Sequence, residues 1–209
     1  MQSEGLDRGV VTLRLIFIYY FSMKQVNITI GRFQPFTNGH MACIEEVYKK
    51  LGVPTIICMI GVPEAKVDEK HPFTSDILVP MYKEVFERSK MVEDVVLVKN
   101  ADIVRIGEML YDMGYEIRSW SCGSDRIEEY KKMSSKYHDQ AHLSEDFEMF
   151  EIKRSDEDVS ATKVRQALID NDYRKFAAMT PLATLKSKLT GKNYYDILRN
   201  QILKVYDIS

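Results

Sequence analysis

The sequence is poor in the features that identify several common classes of protein. It holds only three cysteines, Cys43, Cys58 and Cys122, which lie far apart within apolar runs. An odd number of cysteines at such spacing fits neither a disulfide framework nor a metal-ligand cluster. We therefore expect buried thiols in a protein of the reducing cytoplasm.

The sequence also lacks a large net charge of either sign. Lys and Arg number 29 against 31 Asp and Glu, so the formal net charge is -2. No global basic field suits the chain to nonspecific nucleic-acid binding, and we expect no nucleic-acid partner. Any site for an anion must be local.

Only one long apolar run is present, at residues 10–21. It contains Arg14 and is too short to span a bilayer, which needs about 20 apolar residues. The acidic residues before it, and the lack of a small-residue cleavage site before Met23, argue against a signal peptide. We interpret residues 1–22 as an extension upstream of the core, with an extra strand or a weak membrane contact as the alternative, and we expect no membrane partner.

From Met23 onward, short β-branched runs alternate with longer amphipathic stretches. Strands that are apolar on both faces and joined by helical crossovers are typical of parallel sheets covered on both sides. The pattern predicts a Rossmann-like α/β fold with a doubly wound parallel sheet. The predicted strands are 26–30, 55–61, 94–99, 116–122 and 147–152, with helices at about 39–51, 75–90, 102–113 and 125–136.

After the fifth predicted strand the pattern is all helical. Further helices are predicted at 160–171, 173–178 and 192–206. A chain of 209 residues with 45% hydrophobic content can bury one sizeable core. The predicted organisation is an extension at 1–22, a Rossmann-like domain at 23–171 and a C-terminal helical segment at 172–209.

The loop after the first strand has the composition of an anion site. In doubly wound sheets, ligands bind outside the carboxyl ends of the strands, where the strand order reverses. Gly31 lets backbone and ligand approach closely, and Asn38 or Gly39 can start a helix whose N–H groups face an anion. His40 falls in the first helical turn, where it can donate to a phosphate. The alternative is that His40 only caps the helix or packs beside it.

A second candidate site lies at residues 160–165, SATKVR. Ser160 and Thr162 can cap a helix, while Lys163 and Arg165 fall within its first two turns. Basic residues at a helix N-terminus are unfavourable unless an anion is bound there. Since the planar fork of arginine matches phosphate oxygens, we assign Arg165 to the outer phosphates of a nucleoside triphosphate. The alternative is a solvated basic face.

Both segments resemble the signature of a known enzyme superfamily. Residues 37–40, TNGH, match the T-x-G-H form of the motif that nucleotidyltransferases carry after their first strand. The longer run GRFQPF is most similar to nicotinamide-mononucleotide adenylyltransferases of the archaeal and NadR-like type. Residues 159–165, VSATKVR, resemble the family's I-S-S-T-x-x-R motif, with Ala161 in place of its second serine. HPFT at 71–74 and GSDR at 123–126 also resemble segments of these enzymes.

The resemblance implies an adenylyltransferase that joins ATP and nicotinamide mononucleotide to give NAD and pyrophosphate. It implies Mg²⁺ as cofactor, with ATP or CTP and a phosphorylated acceptor as partners, and no metal ligands among the side chains. Such chemistry needs no general base, because a phosphate monoester with a second pKa of about 6 is already anionic near neutrality. The implied catalytic residues are His40 and Arg165. The other implied nucleotide-binding residues are Gly31, Arg32, Phe33, Thr37, Gly123, Asp125, Arg126, Ser160 and Thr162. Lys66 could also reach phosphate, although a solvated loop lysine is the favoured interpretation.

Two alternatives stay open at this stage. One is the same chemistry on another pair, such as CTP with a phosphorylated alcohol or ATP with phosphopantetheine. The other is a regulatory module that binds nucleotide without turnover, since Thr37 and Ala161 depart from the commonest motif. The sequence does not fix the base, the acceptor or the oligomeric state, and a homo-oligomer is compatible with it. Trp120, the only tryptophan, is assigned to the core.

Overall fold

A computed structural model describes residues 23–152 and 160–207. The predicted extension at 1–22 and the first residue of the second motif, Val159, lie outside the described residues. None of the helices in these two ranges combines the length and apolar character needed to cross a bilayer.

Five parallel strands form one sheet. They are β1 (Lys24–Gly31), β2 (Thr55–Ile60), β3 (Val92–Val98), β4 (Tyr115–Gly123) and β5 (Leu143–Ile152). Their order is β3-β2-β1-β4-β5, so the chain winds outward from β1 to one edge and then crosses back to build the other half. The predicted Rossmann-like doubly wound fold is confirmed.

Seven α-helices lie within the described residues. They are α1 (Asn38–Leu51), α2 (Ser75–Phe86), α3 (Ile103–Asp112), α4 (Ile127–Lys136), α5 (Ala161–Ile169), α6 (Tyr173–Met179) and α7 (Tyr194–Val205). The sheet separates two apolar cores. One contains buried side chains of α1, α2 and the three C-terminal helices, and the other contains those of α3 and α4.

The C-terminal helices share their core with the sheet. Phe176, Tyr194, Leu198 and Ile202 are each almost fully buried, and they join the core that contains α2. At the end of α7, the Tyr206 hydroxyl donates to the Glu69 carbonyl at 3.3 Å. The last helix therefore contacts the loop that follows β2.

Most element ends agree with the prediction to within two residues, but two ends differ by four residues, each because of a polar side chain. β5 begins at Leu143 rather than 147, since its acidic start lies at the sheet edge, where Asp146 pairs with Arg118 at 2.8 Å. α2 ends at Phe86 rather than 90, because the Ser89 hydroxyl accepts the next backbone N–H groups and makes a turn. Such local side-chain bonds compete with helix.

Candidate active site

A cavity of about 660 Å³ opens at the carboxyl ends of β1 and β4, where the strand order reverses. Four parts of the chain line it: the β1–α1 loop, the end of β2 with the loop beyond it, the turn after β4, and the start of α5. This volume lies within the range of roughly 300 to 1,000 Å³ that is usual for ligand pockets. The switch point is also where doubly wound sheets bind their ligands.

Eleven residues that the sequence analysis assigned to the site line this one cavity. They are Gly31, Arg32, Phe33, Thr37, His40, Gly123, Asp125, Arg126, Ser160, Thr162 and Arg165. Lys66 is not among the lining residues; it is exposed and ends a short 3₁₀ turn, Glu64–Lys66. Lys70 and His71 of the same loop line the cavity instead, and the sequence analysis did not assign them.

The T-x-G-H segment forms the N-terminal cap of α1. Thr37 is the N-cap, and its hydroxyl accepts the His40 backbone N–H at 3.3 Å. In return, the Thr37 backbone N–H donates to His40 Nδ1 at 3.0 Å, which completes a capping box. Because Nδ1 accepts this hydrogen bond, the neutral imidazole carries its own proton at Nε2. His40 thus has two roles, since it caps α1 through one ring nitrogen and can donate through the other.

Two phenyl rings hold the imidazole of His40. The Phe33 and Phe36 ring centroids each lie 5.1 Å from its centroid. Phe33 has a φ of 47°, a conformation that residues other than glycine adopt rarely. A Cβ at Gly31 would meet the Phe33 ring at 3.2 Å, so any larger residue here would have to displace that ring by a few tenths of an ångström.

Arg165 joins the second motif to the β1–α1 loop. Its Nη1 donates to the Gln34 carbonyl at 2.7 Å and its Nη2 to the Thr162 hydroxyl at 3.1 Å. Two of the five N–H donors of the guanidinium make these bonds. Burial lowers the pKa of Arg165 from its ordinary value. A partly desolvated cation beside an open cavity favours an anionic ligand.

The loop after β2 contributes a hydrogen-bonded chain that reaches the cavity. Arg32 Nη1 lies 3.4 Å from His71 Nε2, and His71 Nδ1 lies 3.1 Å from Asp68 Oδ1. Because a guanidinium only donates, Nε2 accepts and the His71 proton is at Nδ1, where it donates to Asp68. The backbone N–H of His71, 2.6 Å from the same carboxylate, is the main cause that lowers the pKa of Asp68.

The turn after β4 forms the opposite wall. Asp125 and Arg126 are exposed, with 3.7 Å between Asp125 Oδ2 and Arg126 Nε. Cys122 lines the cavity as a thiol, because burial raises its pKa to about 11. Trp120 is fully buried and stacks on Tyr130 at 4.1 Å between ring centroids, as expected of a core residue.

The electrostatics of the cavity favour an anion. Neither α1 nor α5 carries an acidic residue in its first turn, although acidic side chains are the usual partners of that end of a helix dipole. The cations Arg32, Lys70 and Arg165 line the walls. Within residues 23–152 and 160–207, no three His, Cys, Asp or Glu side chains converge as a set of metal ligands.

The fold and this cavity define an α/β protein of the Rossmann-like class with a cavity lined by basic side chains at its switch point. The model of the cytidylyltransferase-like family matches residues 28–167, which includes both motifs. The chain belongs to this family, and the predicted resemblance to nucleotidyltransferases is confirmed.

Individual relatives support the same family. The chain is 32% identical over 71 residues to a nicotinamide-nucleotide adenylyltransferase of Thermococcus kodakarensis. The matched segment covers 34% of this chain and 37% of the relative. The match thus spans little more than a third of that relative's length.

Two solved structures are similar in fold. The Plasmodium falciparum nicotinic acid mononucleotide adenylyltransferase complexed with NaAD has a TM-score of 0.51 at 13% identity, over 89% of this chain and 98% of that one. The bifunctional NMN adenylyltransferase/ADP ribose pyrophosphatase of Francisella tularensis has a TM-score of 0.55 at 16% identity, over 88% of this chain and 52% of that one. At these identities the likeness supports the fold alone.

Proposed function

We propose that the protein is a nucleotidyltransferase that transfers AMP from ATP to a phosphate monoester, with nicotinamide mononucleotide as the acceptor and NAD and pyrophosphate as the products. The observation that carries the proposal is the convergence of His40 and Arg165 on one cavity at the switch point of the sheet. These two side chains come from motifs more than 120 residues apart in the sequence.

The proposed reaction needs alignment and charge stabilisation more than acid–base chemistry. A phosphate oxygen of the acceptor forms a bond to the α-phosphorus of ATP, and the bond from that phosphorus to the bridging oxygen of pyrophosphate breaks. The nucleophile is already an anion near neutral pH, so no group has to remove a proton from it. The protein must hold both phosphates in line and stabilise the charge that develops on the oxygens.

His40 is the proposed donor to the reacting phosphate. Its Nδ1 is occupied by the Thr37 N–H, so the ring can donate only through Nε2 while it stays neutral. The first-turn amides of α1 and the positive end of its dipole add donors that require no reorganisation. A side chain held by a cap and two phenyl rings suits a preorganised donor.

Arg165 and the basic side chains of the β2–α2 loop are the proposed phosphate ligands. Arg165 would bind the outer phosphates of the triphosphate with the donors that its bonds to Gln34 and Thr162 leave over. Arg32, Lys70 and His71 would bind a second phosphate-bearing part of the substrates.

Mg²⁺ fits the site as an ion carried by the triphosphate. Asp125 is the only carboxylate among the described residues that line the cavity, and Mg²⁺ commonly binds one or two carboxylates together with substrate phosphates and water. When bound, it would neutralise charge on the phosphate oxygens. Asp125, which the resemblance implied as a nucleotide-binding residue and not as a metal ligand, would then be its protein ligand.

The choice of nicotinamide mononucleotide rests on similarity. The GRFQPF run and the matched segment of the Thermococcus kodakarensis relative both favour that acceptor. The three thiols agree with an enzyme of the reducing cytoplasm, which is the location that we propose.

Pyrophosphate release in the presence of Mg²⁺ tests the proposal. ATP and CTP are crossed with nicotinamide mononucleotide, phosphopantetheine and simple phosphorylated alcohols. We expect release with ATP and nicotinamide mononucleotide only. Release with a different pair would keep the reaction and replace the substrate, whereas nucleotide binding without release from any pair would favour the regulatory module.

A further inference from the structure

The β1–α1 loop is held by side chains rather than by backbone ladders. Between Phe33 and Thr37, backbone groups bind Arg165, Thr180 and His40, each from a different part of the chain. The Thr180 hydroxyl donates to the Phe36 carbonyl at 2.7 Å. Arg165 and Thr180 are distant from the loop in sequence, so the shape of the loop depends in part on distant side chains.

Tyr82 on α2 makes two further bonds to the backbone of this loop, both through its hydroxyl group. The hydroxyl donates to the Phe33 carbonyl at 2.6 Å and accepts the Phe36 backbone N–H at 2.9 Å. Tyr82 is fully buried, and its ring packs against Phe36 with 5.8 Å between centroids. Burial raises the pKa of Tyr82, so the hydroxyl keeps its proton and remains both donor and acceptor.

The two residues fixed by Tyr82 are the ones that hold His40. The rings of Phe33 and Phe36 flank the imidazole, and the unusual φ of Phe33 requires support from its surroundings. Between them lies Gln34, whose carbonyl orients Arg165. One buried hydroxyl therefore connects α2 to both proposed catalytic side chains.

We propose that Tyr82 is a positioning residue whose hydroxyl fixes the geometry of His40 and Arg165 without touching the substrate. The proposal rests on the nucleotidyltransferase function for its catalytic consequence, but the position of the His40 ring is a property of the protein alone. Tyr82→Phe removes only the hydroxyl and keeps the ring in the core.

Tyr194→Phe is the matched control. Tyr194 is also a buried tyrosine of the same core, and its hydroxyl binds Glu84 rather than the loop. Both substitutions remove the hydroxyl of a tyrosine whose ring is buried in the same core. A purely structural role for Tyr82 predicts that the two variants behave alike.

The first readout is the Cε1–H resonance of His40 in the NMR spectrum of the protein without ligand, assigned by its loss in His40→Asn. We expect Tyr82→Phe to shift or broaden this resonance and to leave those of His138 and His142 in place. Tyr194→Phe should leave all of them unchanged. An unchanged His40 resonance in Tyr82→Phe would overturn the proposal, whether or not the protein proves to be a nucleotidyltransferase.

The second readout is the turnover number for pyrophosphate release. A catalytic group displaced by about 1 Å can lose about 100-fold in rate, so we expect Tyr82→Phe to lower kcat by about 10- to 100-fold with little change in KM. In a His40→Asn background the same substitution should cost much less. An equal loss in both backgrounds would overturn the link through His40.

A second variant guards against failure of Tyr82→Phe to fold. Thr180→Val removes the donor to the Phe36 carbonyl and leaves Tyr82 in place. We expect it to move the His40 resonance and to lower kcat in the same direction. No effect on either quantity would contradict the proposal that the loop sets the position of His40.

Discussion

Replacing His40 by asparagine separates the two roles of this side chain. In the protein, His40 Nδ1 accepts a hydrogen bond from the Thr37 backbone N–H at 3.0 Å. Nε2 carries the N–H that we propose donates a hydrogen bond to the substrate phosphate. An asparagine carboxamide can offer Oδ1 to the Thr37 N–H, but it does not reach as far as Nε2. Alanine removes both functions.

The magnitudes of the two effects follow from this geometry. Loss of one preorganised donor to a developing charge costs about 2.7 to 4 kcal/mol of barrier, which is about 100- to 1,000-fold in kcat. Loss of a side chain from a helix N-terminal cap costs about 1 kcal/mol of stability. We therefore expect both His40→Asn and His40→Ala to lose about 100-fold or more in kcat, and only His40→Ala to lose about 1 kcal/mol in the free energy of unfolding.

Two assays measure these effects on the same samples. Pyrophosphate release under saturating substrates gives kcat, and urea unfolding gives the stability. Nucleotide affinity, measured by titration calorimetry, should change little, since His40 is assigned to the transition state rather than to ground-state binding. A His40→Asn enzyme with kcat within a few-fold of the wild type would refute the catalytic role and leave His40 as a cap.

Three further predictions concern other parts of the molecule. Lys70→Ala should raise the KM of a phosphate-bearing substrate by about 10-fold or more in steady-state kinetics, because a charged hydrogen bond contributes about 1.5 to 3 kcal/mol. Lys66→Ala should change this KM little. A larger effect of Lys66 than of Lys70 would contradict the role that we assign to Lys70 as a residue lining the cavity. Since only thiolates react, the pKa of about 11 predicts slow alkylation of Cys122 at pH 8 that accelerates toward pH 11, with protection by ATP. Peptide mass spectrometry measures this rate, and fast reaction at pH 8 would contradict the pKa. Gly107→Ala should destabilise the protein by about 1 to 3 kcal/mol in urea unfolding, in spite of the better helix propensity of alanine. Its Cβ would lie 2.1 Å from the Ala141 carbonyl oxygen, and equal or greater stability would refute this reading.

Much of the fold could be predicted because apolar periodicity reports burial directly. Each predicted strand overlaps an observed strand, since buried parallel strands are apolar on both faces. The two boundaries that differ by four residues depend on individual polar contacts. The Asp146–Arg118 pair lets an acidic segment begin β5, and the Ser89 turn ends α2, and neither contact is visible in a hydrophobic pattern.

The motif residues of the site could be predicted because they lie next to strand ends and helix starts. For His71 the only signal was the HPFT segment, and for Lys70 there was none, since the path of their loop depends on contacts between distant residues. Gln34 fixes that path through a pair of bonds to the Phe73 backbone, at 2.7 and 3.0 Å. Arg165 both binds the Gln34 carbonyl of the loop and lines the cavity. The bond to the loop could not be predicted either, because it joins residues that are distant in the sequence.

The most direct test of the proposed function is to incubate the protein with ATP, nicotinamide mononucleotide and Mg²⁺ and to measure both products by chromatography and mass spectrometry. We predict NAD and pyrophosphate in equal amounts, with a rate of formation that is lower by about 100-fold or more in His40→Asn. Bound ATP with no dinucleotide and no pyrophosphate, from this acceptor or any other phosphorylated acceptor tested, would contradict it.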